Sequence, residues 1–543
     1  MERSLPSLDR FSIDLGPGLA ERRRHRRQRV ELETRLRSVA GFWGASPVEA
    51  RIIDVSSGGA RVEVPRWLDP GEWILLDLPR LDDRARLLEP PDDGTVLGRV
   101  RATDVVATPE GRYRTGLSFD SGAGARLRYL WSRALPALAF AALLAALLPL
   151  AQLKQPNVSL FWLHPISNSY GLLVSVFIVS RLLLALLYRP PEDTGYRPKV
   201  TAVVACKNEE ASIARTIECL YRSQYPADRL EVIAVDDGST DRTLSEMLRV
   251  ARDRPSLRVV SFTANRGKRH AMAAGARMAR GEVLVYVDSD SFLRTDALRK
   301  LASAFADPRV GAVCGHADVQ NARVNFLTRM QEVRYYVAFR VVKAAESLFA
   351  AVTCCSGCLA AYRRSAVMDV LDHWLEQRFL GVPATFGDDR SLTRLMLKRY
   401  RVLYHSEATC TTIVPERWPV FFRQQLRWKK SWVRESLLLS TFMWKRHPLM
   451  VASFYMSLLF PLVSPAIALR ALGLPLLGMG STSLLYLYGV ALMASLYALV
   501  YLARHRNWLW VYGIAFSVVY IGALAWQTYY AVLTVRHNQW GTR

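Results

Sequence analysis

The sequence predicts a small all-β barrel followed by an α/β domain that is inserted in an α-helical transmembrane bundle. Three observations carry this. Short runs that alternate apolar and polar residues fill positions 48–119, the period-two pattern of half-buried strands separated by turns. From residue 199 the pattern changes to continuous apolar runs alternating with amphipathic stretches, as expected for buried parallel strands and covering helices. Long apolar runs at 134–153, 170–188 and 449–535 flank that region, and a helix needs ~20 such residues to cross a bilayer.

The 543 residues leave room for several domains, on a prior of about 150 residues each. No small-residue cleavage site follows an apolar run near the start, so no cleaved leader is expected. The net charge of +24 would suit nucleic acid, yet the cations stand where a membrane protein places them, and nucleic-acid binding is not expected. Arg126, Arg128 and Arg133 precede the first span, Arg189 follows the second, Lys445 and Arg446 precede the third, and Arg504 and Arg506 follow the fourth. Positive flanks face the cytoplasm, which puts residues 1–133 and 190–448 on that side. The last span, 508–535, has Arg506 before it and Arg536 and Arg543 after it, which predicts a bent or hairpin segment. All seven cysteines fall in the central segment, which agrees with a reducing compartment. The Cys355-Ser-Gly-Cys358 spacing has no second pair to complete a zinc site and no thioredoxin-like context.

In the N-terminal unit, residues 22–29 read Arg-Arg-Arg-His-Arg-Arg-Gln-Arg, and residues 54–59 read Asp-Val-Ser-Ser-Gly-Gly. A polybasic arm on anionic lipid is one reading of the first stretch. Joined to the second, an arginine pair four residues apart and then D-x-S-x-x-G resembles the PilZ domain, a receptor for cyclic di-GMP. The resemblance puts the dinucleotide on Arg23 and Arg27, with Arg22/Arg26 as the other register, and on Asp54, Ser56 and Gly59. Guanidinium groups grip phosphates bidentately and stack on guanine, and a glycine would let the backbone come close to the nucleotide.

In the central segment, one strand at 230–235 ends in Asp236-Asp237-Gly-Ser, and another at 283–287 ends in Asp288-Ser-Asp290. Open α/β sheets bind ligands at such strand ends. Asp is also a common turn and cap residue, so either cluster alone says little, and the pair together with Gly267-Lys268 between them says more. Asp288 and Asp290 can hold Mg²⁺ or Mn²⁺, which keep substrate phosphates as further ligands, and Lys268 can approach the same phosphates. Gly387-Asp388-Asp389-Arg390 and Gln424-Gln425-Leu426-Arg427-Trp428 follow, setting a carboxylate base, a cation and an indole platform ahead of a membrane span. An interfacial amphipathic helix would also suit the aromatic residues of the second segment.

This order of motifs between membrane helices resembles the processive family 2 glycosyltransferases with a GT-A (Rossmann-like) fold, and among them the hyaluronan synthases and chitin-oligosaccharide synthases. The likeness covers residues 135–543 and includes the terminal Trp540-Gly-Thr-Arg543. It implies that Asp236 and Asp237 contact the uridine of a UDP-sugar donor and that Asp288 and Asp290 hold the metal on its diphosphate. Asp389 would be the general base, Arg427 would neutralise the leaving diphosphate, and Gln424, Trp428, Trp540 and Arg543 would serve the growing polysaccharide acceptor and the donor. It further implies inversion to a β-linked polymer, placement in a bacterial inner membrane, and secretion-complex partners. The corresponding division is 1–125 (PilZ-like), 134–189 (two spans), 197–415 (GT-A), 416–447 (interface helices), 449–536 (spans and re-entrant helices) and 537–543 (tail). Cys358 replaces a proline of the family pattern; proline would fix φ, so a looser loop is expected there. A non-processive transferase on a lipid-linked acceptor and a catalytically inactive secretion receptor are the alternatives.

Overall fold

The computed structural model describes residues 28–38, 48–56, 59–65, 68, 73–77, 95–107, 112–119, 138, 164–479, 484–505 and 507–537. They fall into two units, Met1–Ser132 and Arg133–Arg543. Arg22, Arg23, Arg26, Arg27, Trp540, Arg543 and nearly all of the first expected span lie outside the described residues.

The first unit is a closed antiparallel barrel. Its strands are β1 (Gln28–Ser38), β2 (Val48–Ser56), β3 (Gly59–Val64), β4 (Trp73–Asp77), β5 (Thr95–Ala107) and β6 (Tyr113–Phe119), in the order β1-β2-β3-β6-β5-β4. Alternation drives it: Leu36, Ala50, Ile52, Val62, Val64, Ile74, Leu76 and Leu117 all turn inward and are buried, each large one stabilising the barrel by about 1.5–3 kcal/mol. Closure removes the exposed edges that would otherwise pair with another chain.

The second unit is built on an eight-stranded mixed sheet. Strand β7 (Val200–Cys206) lies between β10 (Val283–Asp288) and β8 (Leu230–Asp236), both parallel to it, with β9 (Leu257–Ser261) beyond β8. All seven residues of β7 are buried, which explains its unbroken apolar sequence. On the other side come β13 (Ala360–Arg363), β12 (Val310–Val319), β14 (Arg401–Thr412) and β11 (Ser291–Leu293). The chain winds outward from β7 to β9 and then crosses back to β10, so the direction of winding reverses between β7 and β10, where open sheets form their crevice.

Among the described residues, three helices are long and apolar enough to cross a membrane: Pro165–Leu187, Pro448–Leu476 and Tyr486–His505. Residues Trp508–Leu524 and Gln527–Leu533 form a fourth apolar segment, bent by 42°. Between the sheet and these spans runs a 26-residue helix, Trp418–Met443.

Candidate functional site

The acidic rim is made by the strand register. Asp236 pairs with Cys206 and Asp288 with Ala205, so the two acids flank the end of β7. Asp236 and Asp237 are both buried, and their carboxylates are already engaged by protein. Asp236 accepts from Ser239 N at 3.2 Å and Ser261 Oγ at 2.9 Å. Asp237 accepts from Arg266 N at 2.7 Å and Gly267 N at 2.9 Å, and burial raises its pKa. Asp237 thereby clamps the turn ahead of helix Lys268–Met278. Gly267 has φ +95°, a conformation that favours glycine, and the turn delivers Lys268 into the crevice.

Lys268 pairs with Asp288. Burial disfavours its ammonium, but Asp288 outweighs burial and raises the pKa. Asp290 is pushed up to about 6, first by burial and then by Asp288, while Thr412 Oγ1 donates to it at 3.4 Å. Two carboxylates sharing one lysine fit a divalent cation, which would relieve their repulsion. Gly357 adds a second fitting observation: a Cβ there would lie 3.0 Å from Asp288 Oδ1, so only glycine leaves that oxygen clear. No group of three His, Cys, Asp or Glu forms a metal cage among the described residues, so an ion here would draw its remaining ligands from substrate and water.

Gly357 belongs to the Cys355–Cys358 segment. The seven cysteines are free thiols, and the segment's work is to place that glycine. The looser loop expected from Cys358 is not found: Gly357 O accepts from Asp288 N, Leu359 N donates to Ser356 O, and Leu359 O accepts from Gly315 N. Pairing to two strands supplies the order that a proline would have provided.

Opposite this rim, Gly387 (φ +78°) begins helix Asp388–Leu397. The neighbouring carboxylates have different surroundings. Asp388 is buried and accepts from Arg269 Nε at 2.8 Å. Asp389 accepts Arg390 N at 2.8 Å and the Cys354 thiol at 3.6 Å. Burial and then Asp389 push the Cys354 thiol up to about 12, so it remains a protonated donor.

The Gly-Asp-Asp turn is locked to helix Trp418–Met443. A Cβ on Gly387 would lie 1.9 Å from Ser431 Oγ, and Arg434 donates to Phe386 O. Behind the contact, Glu435 is fully buried and accepts from Arg394 Nε at 2.7 Å, Arg434 Nε at 2.7 Å and Gln377 Nε2 at 2.8 Å. Burial would raise the Glu435 pKa, but the two arginines outweigh it and lower it. Gln377 Oε1 accepts from Arg269 at 3.3 Å, so a single amide joins the Arg269–Asp388 pair to Glu435. Trp374 lies beneath Arg269, 5.3 Å from ring centroid to guanidinium carbon, and donates to Ser391 Oγ at 2.7 Å. Gln377, Trp374 and Arg394 have no motif to mark them; Arg269 had a signal in its position next to Lys268.

Arg427 lies on helix Trp418–Met443. Burial lowers its pKa, and Asp389, Asp388 and Asp288, in that order, oppose the shift. The guanidinium therefore lies in the field of both the rim and the turn. Trp428 is 36% exposed, and the buried Oε1 of Gln424 has no hydrogen-bond partner among the described residues.

In the barrel, the register sets Gln28 against Val55, Arg29 against Asp54, and Ser56 against Gly59. The end of the arginine-rich stretch thus meets the D-x-S-x-x-G turn. Asp54 lies 3.7 Å from Arg61. The barrel itself also needs Gly59: a Cβ there would lie 2.1 Å from Leu117 O, so the β3–β6 pairing requires glycine.

Residues 201–371 match the family model for glycosyl transferase family 2, and residues 21–130 match that for the PilZ domain. The chain is 36% identical over 275 residues to a hyaluronan synthase of Streptococcus pyogenes, covering 50% of this chain and 65% of that protein. It is 37% identical over 278 residues to an N-acetylglucosaminyltransferase of Mesorhizobium japonicum, covering 50% and 66%. The matched region is thus just under two thirds of the length of these curated relatives. A mannosyltransferase from Pyrobaculum calidifontis, solved in complex with GDP-Man and Mn²⁺, aligns with a TM-score of 0.46 and 27% identity over 66% of this chain and 99% of that one.

Proposed function

This chain carries a family 2 glycosyltransferase domain and a PilZ domain, and we propose that it is a membrane polysaccharide synthase switched by cyclic di-GMP. In this reading it transfers hexosyl units from UDP-sugars, with inversion, to a growing β-linked polymer of hyaluronan-like or chitin-like type, and passes the product through its membrane helices. The observation that carries the reading is the crevice at the strand ends, where Lys268 pairs with Asp288 and Asp290 accepts from Thr412, with Asp389 at the start of a helix across from them.

Lys268, Asp288 and Asp290 would receive the donor diphosphate, and Mg²⁺ or Mn²⁺ on the two aspartates would neutralise charge on its oxygens. Asp389 takes the proton from the acceptor hydroxyl as that oxygen attacks the anomeric carbon. Arg427 stabilises the diphosphate as the bond to the sugar breaks; preorganised charge of this kind is commonly the largest catalytic contribution. The unmatched Gln424 oxygen accepts a sugar hydroxyl, and the open part of Trp428 stacks on an acceptor ring. Asp236 and Asp237 shape the uridine end of the pocket through the turns they hold, while Trp540 and Arg543 join the acceptor or donor from the tail. The buried pairing of Asp388 with Arg269 supports Asp389 as the base. Arg23 and Arg27, or Arg22 and Arg26, grip cyclic di-GMP beside Asp54, Ser56 and Gly59. The cytoplasmic face of a bacterial inner membrane suits both domains, and secretion-complex partners would receive the polymer.

Membrane vesicles given UDP-sugars singly and in pairs test the reading. We expect UDP release and a long polymer, increased by cyclic di-GMP and abolished by chelation. Asp389→Asn should reduce transfer by about 10²–10⁴-fold, the range of positioned base catalysis. Wild-type turnover in that variant would remove Asp389 from its role, and hyaluronidase or chitinase digestion would identify the product.

A further inference from the structure

The bent C-terminal segment grips the helix that carries Trp428. Lys429 Nζ donates to Thr528 Oγ1 at 2.8 Å, Gln527 Nε2 donates to Phe422 O at 3.3 Å, and Lys430 Nζ donates to His537 O at 3.4 Å. A second helix, Phe326–Val337, joins the grip: Arg329 Nη1 donates to Tyr512 Oη at 3.0 Å. Farther along this helix, the guanidinium carbon of Arg334 lies 5.5 Å from the Trp428 ring centroid and 5.1 Å from that of Phe516.

Arg334 is a costly residue to place there. Among the described residues, its buried Nη1 has no hydrogen-bond partner, and neither Arg334 nor Lys429 takes part in an ion pair. Two ring faces are what the guanidinium has in place of a carboxylate, and a desolvated cation over an indole is a favourable contact. The consequence falls on Trp428. Arg334 backs its ring and ties it to Phe516 of the membrane segment, while the exposed part of the indole remains open.

We propose that Arg334 is a positioning residue that sets product length: it holds the plane of Trp428 against Phe516 and so determines how long the polymer stays bound between additions. This rests on the polymerase reading above. Arg334 acts through Trp428 and on the bound polymer, so its loss changes chain release rather than donor binding.

The test compares Arg334→Met, Arg334→Lys and Phe516→Leu in vesicles, reading product length on a gel together with KM for the UDP-sugar. Arg334→Met should shorten the product by roughly tenfold, which corresponds to about 1.4 kcal/mol of lost retention, with donor KM unchanged. Arg334→Lys keeps the charge without the planar stack and should fall between. Phe516→Leu leaves both Arg334 and Trp428 in place and should also shorten the product, so the idea remains open to refutation if Arg334→Met fails to fold. Wild-type lengths in Arg334→Met and Phe516→Leu overturn the proposal, as does shortening accompanied by a raised donor KM. UDP release without polymer from the unsubstituted chain overturns the polymerase reading itself, which distinguishes the two failures.

Discussion

On the strand-end rim, Asp236, Asp237, Asp288 and Asp290 stand where β-strands stop, held by backbone amides, hydroxyls and one lysine; on the opposite side, Gly387, Asp388 and Asp389 stand at a helix start held by a buried ionic network. Apart from that lysine, the rim is held by hydrogen bonds from uncharged groups, some near and some far: Asp236 accepts from Ser239, three residues on, and Asp290 from Thr412, 122 residues on. The turn depends on Arg269, 119 residues before Asp388, and on Glu435, 41 residues after Arg394. The difference teaches where each half of the site is vulnerable. Changes at the rim are expected to act first on ligand binding, whereas changes behind the turn are expected to move helix Asp388–Leu397 together with its two aspartates.

The largest test of that contrast is Glu435→Gln. It leaves Arg394 and Arg434 buried without their counter-charge, and breaking such a pair costs about 3–5 kcal/mol. Thermal unfolding of the purified chain should show a marked loss of stability, and transfer should fall with it. An unchanged melting temperature would mean that the network does not hold the turn.

A smaller effect is expected for Gly387→Ala. The positive φ and the 1.9 Å approach to Ser431 force the turn to move, with backbone strain of about 1–3 kcal/mol. Transfer should drop while binding of UDP to the rim persists, and adding Ser431→Gly should restore part of the activity. Loss of UDP binding in Gly387→Ala would contradict the separation of the two sides.

The smallest is Gly357→Ala. Its Cβ would press on Asp288 Oδ1 from 3.0 Å, shifting that carboxylate by a few tenths of an ångström. The Mn²⁺ concentration needed for half-maximal activity should rise by about tenfold, the lower end of what changes behind metal ligands cause, at nearly constant thermal stability. Unaltered cation dependence would remove Gly357 from the rim's design.

Much of the rim was legible in the residues. Val200–Cys206 reads as a buried strand because all seven positions are covered, and acids after Val235 and Val287 read as strand-end groups for the same local reason. Gly267 was legible only as the neighbour of Lys268; its φ of +95° is what the turn adds. The turn side was legible only as a motif: Asp388 and Asp389 are adjacent and chemically identical, and nothing local tells which one Arg269 removes from solvent. Gln377 and Trp374 carry no pattern at all, since an amide or indole acquires meaning only from the groups that fold against it. Gly59 was legible as a required glycine, but the Leu117 carbonyl across the barrel, which also demands it, was not.

By itself, the sequence determined the strand periodicity of the barrel, the alternation of the central sheet, the apolar spans and the chemical types gathered in the site. Each depends on spacing along a few residues of chain, which the backbone reads at short range. The tertiary structure alone decided which neighbouring aspartate is buried against Arg269, why Gly387 must be glycine, and that Arg334 lies between Trp428 and Phe516 of the bent apolar segment. These depend on partners tens to hundreds of residues away, and only packing brings such groups within hydrogen-bonding or ring-stacking distance.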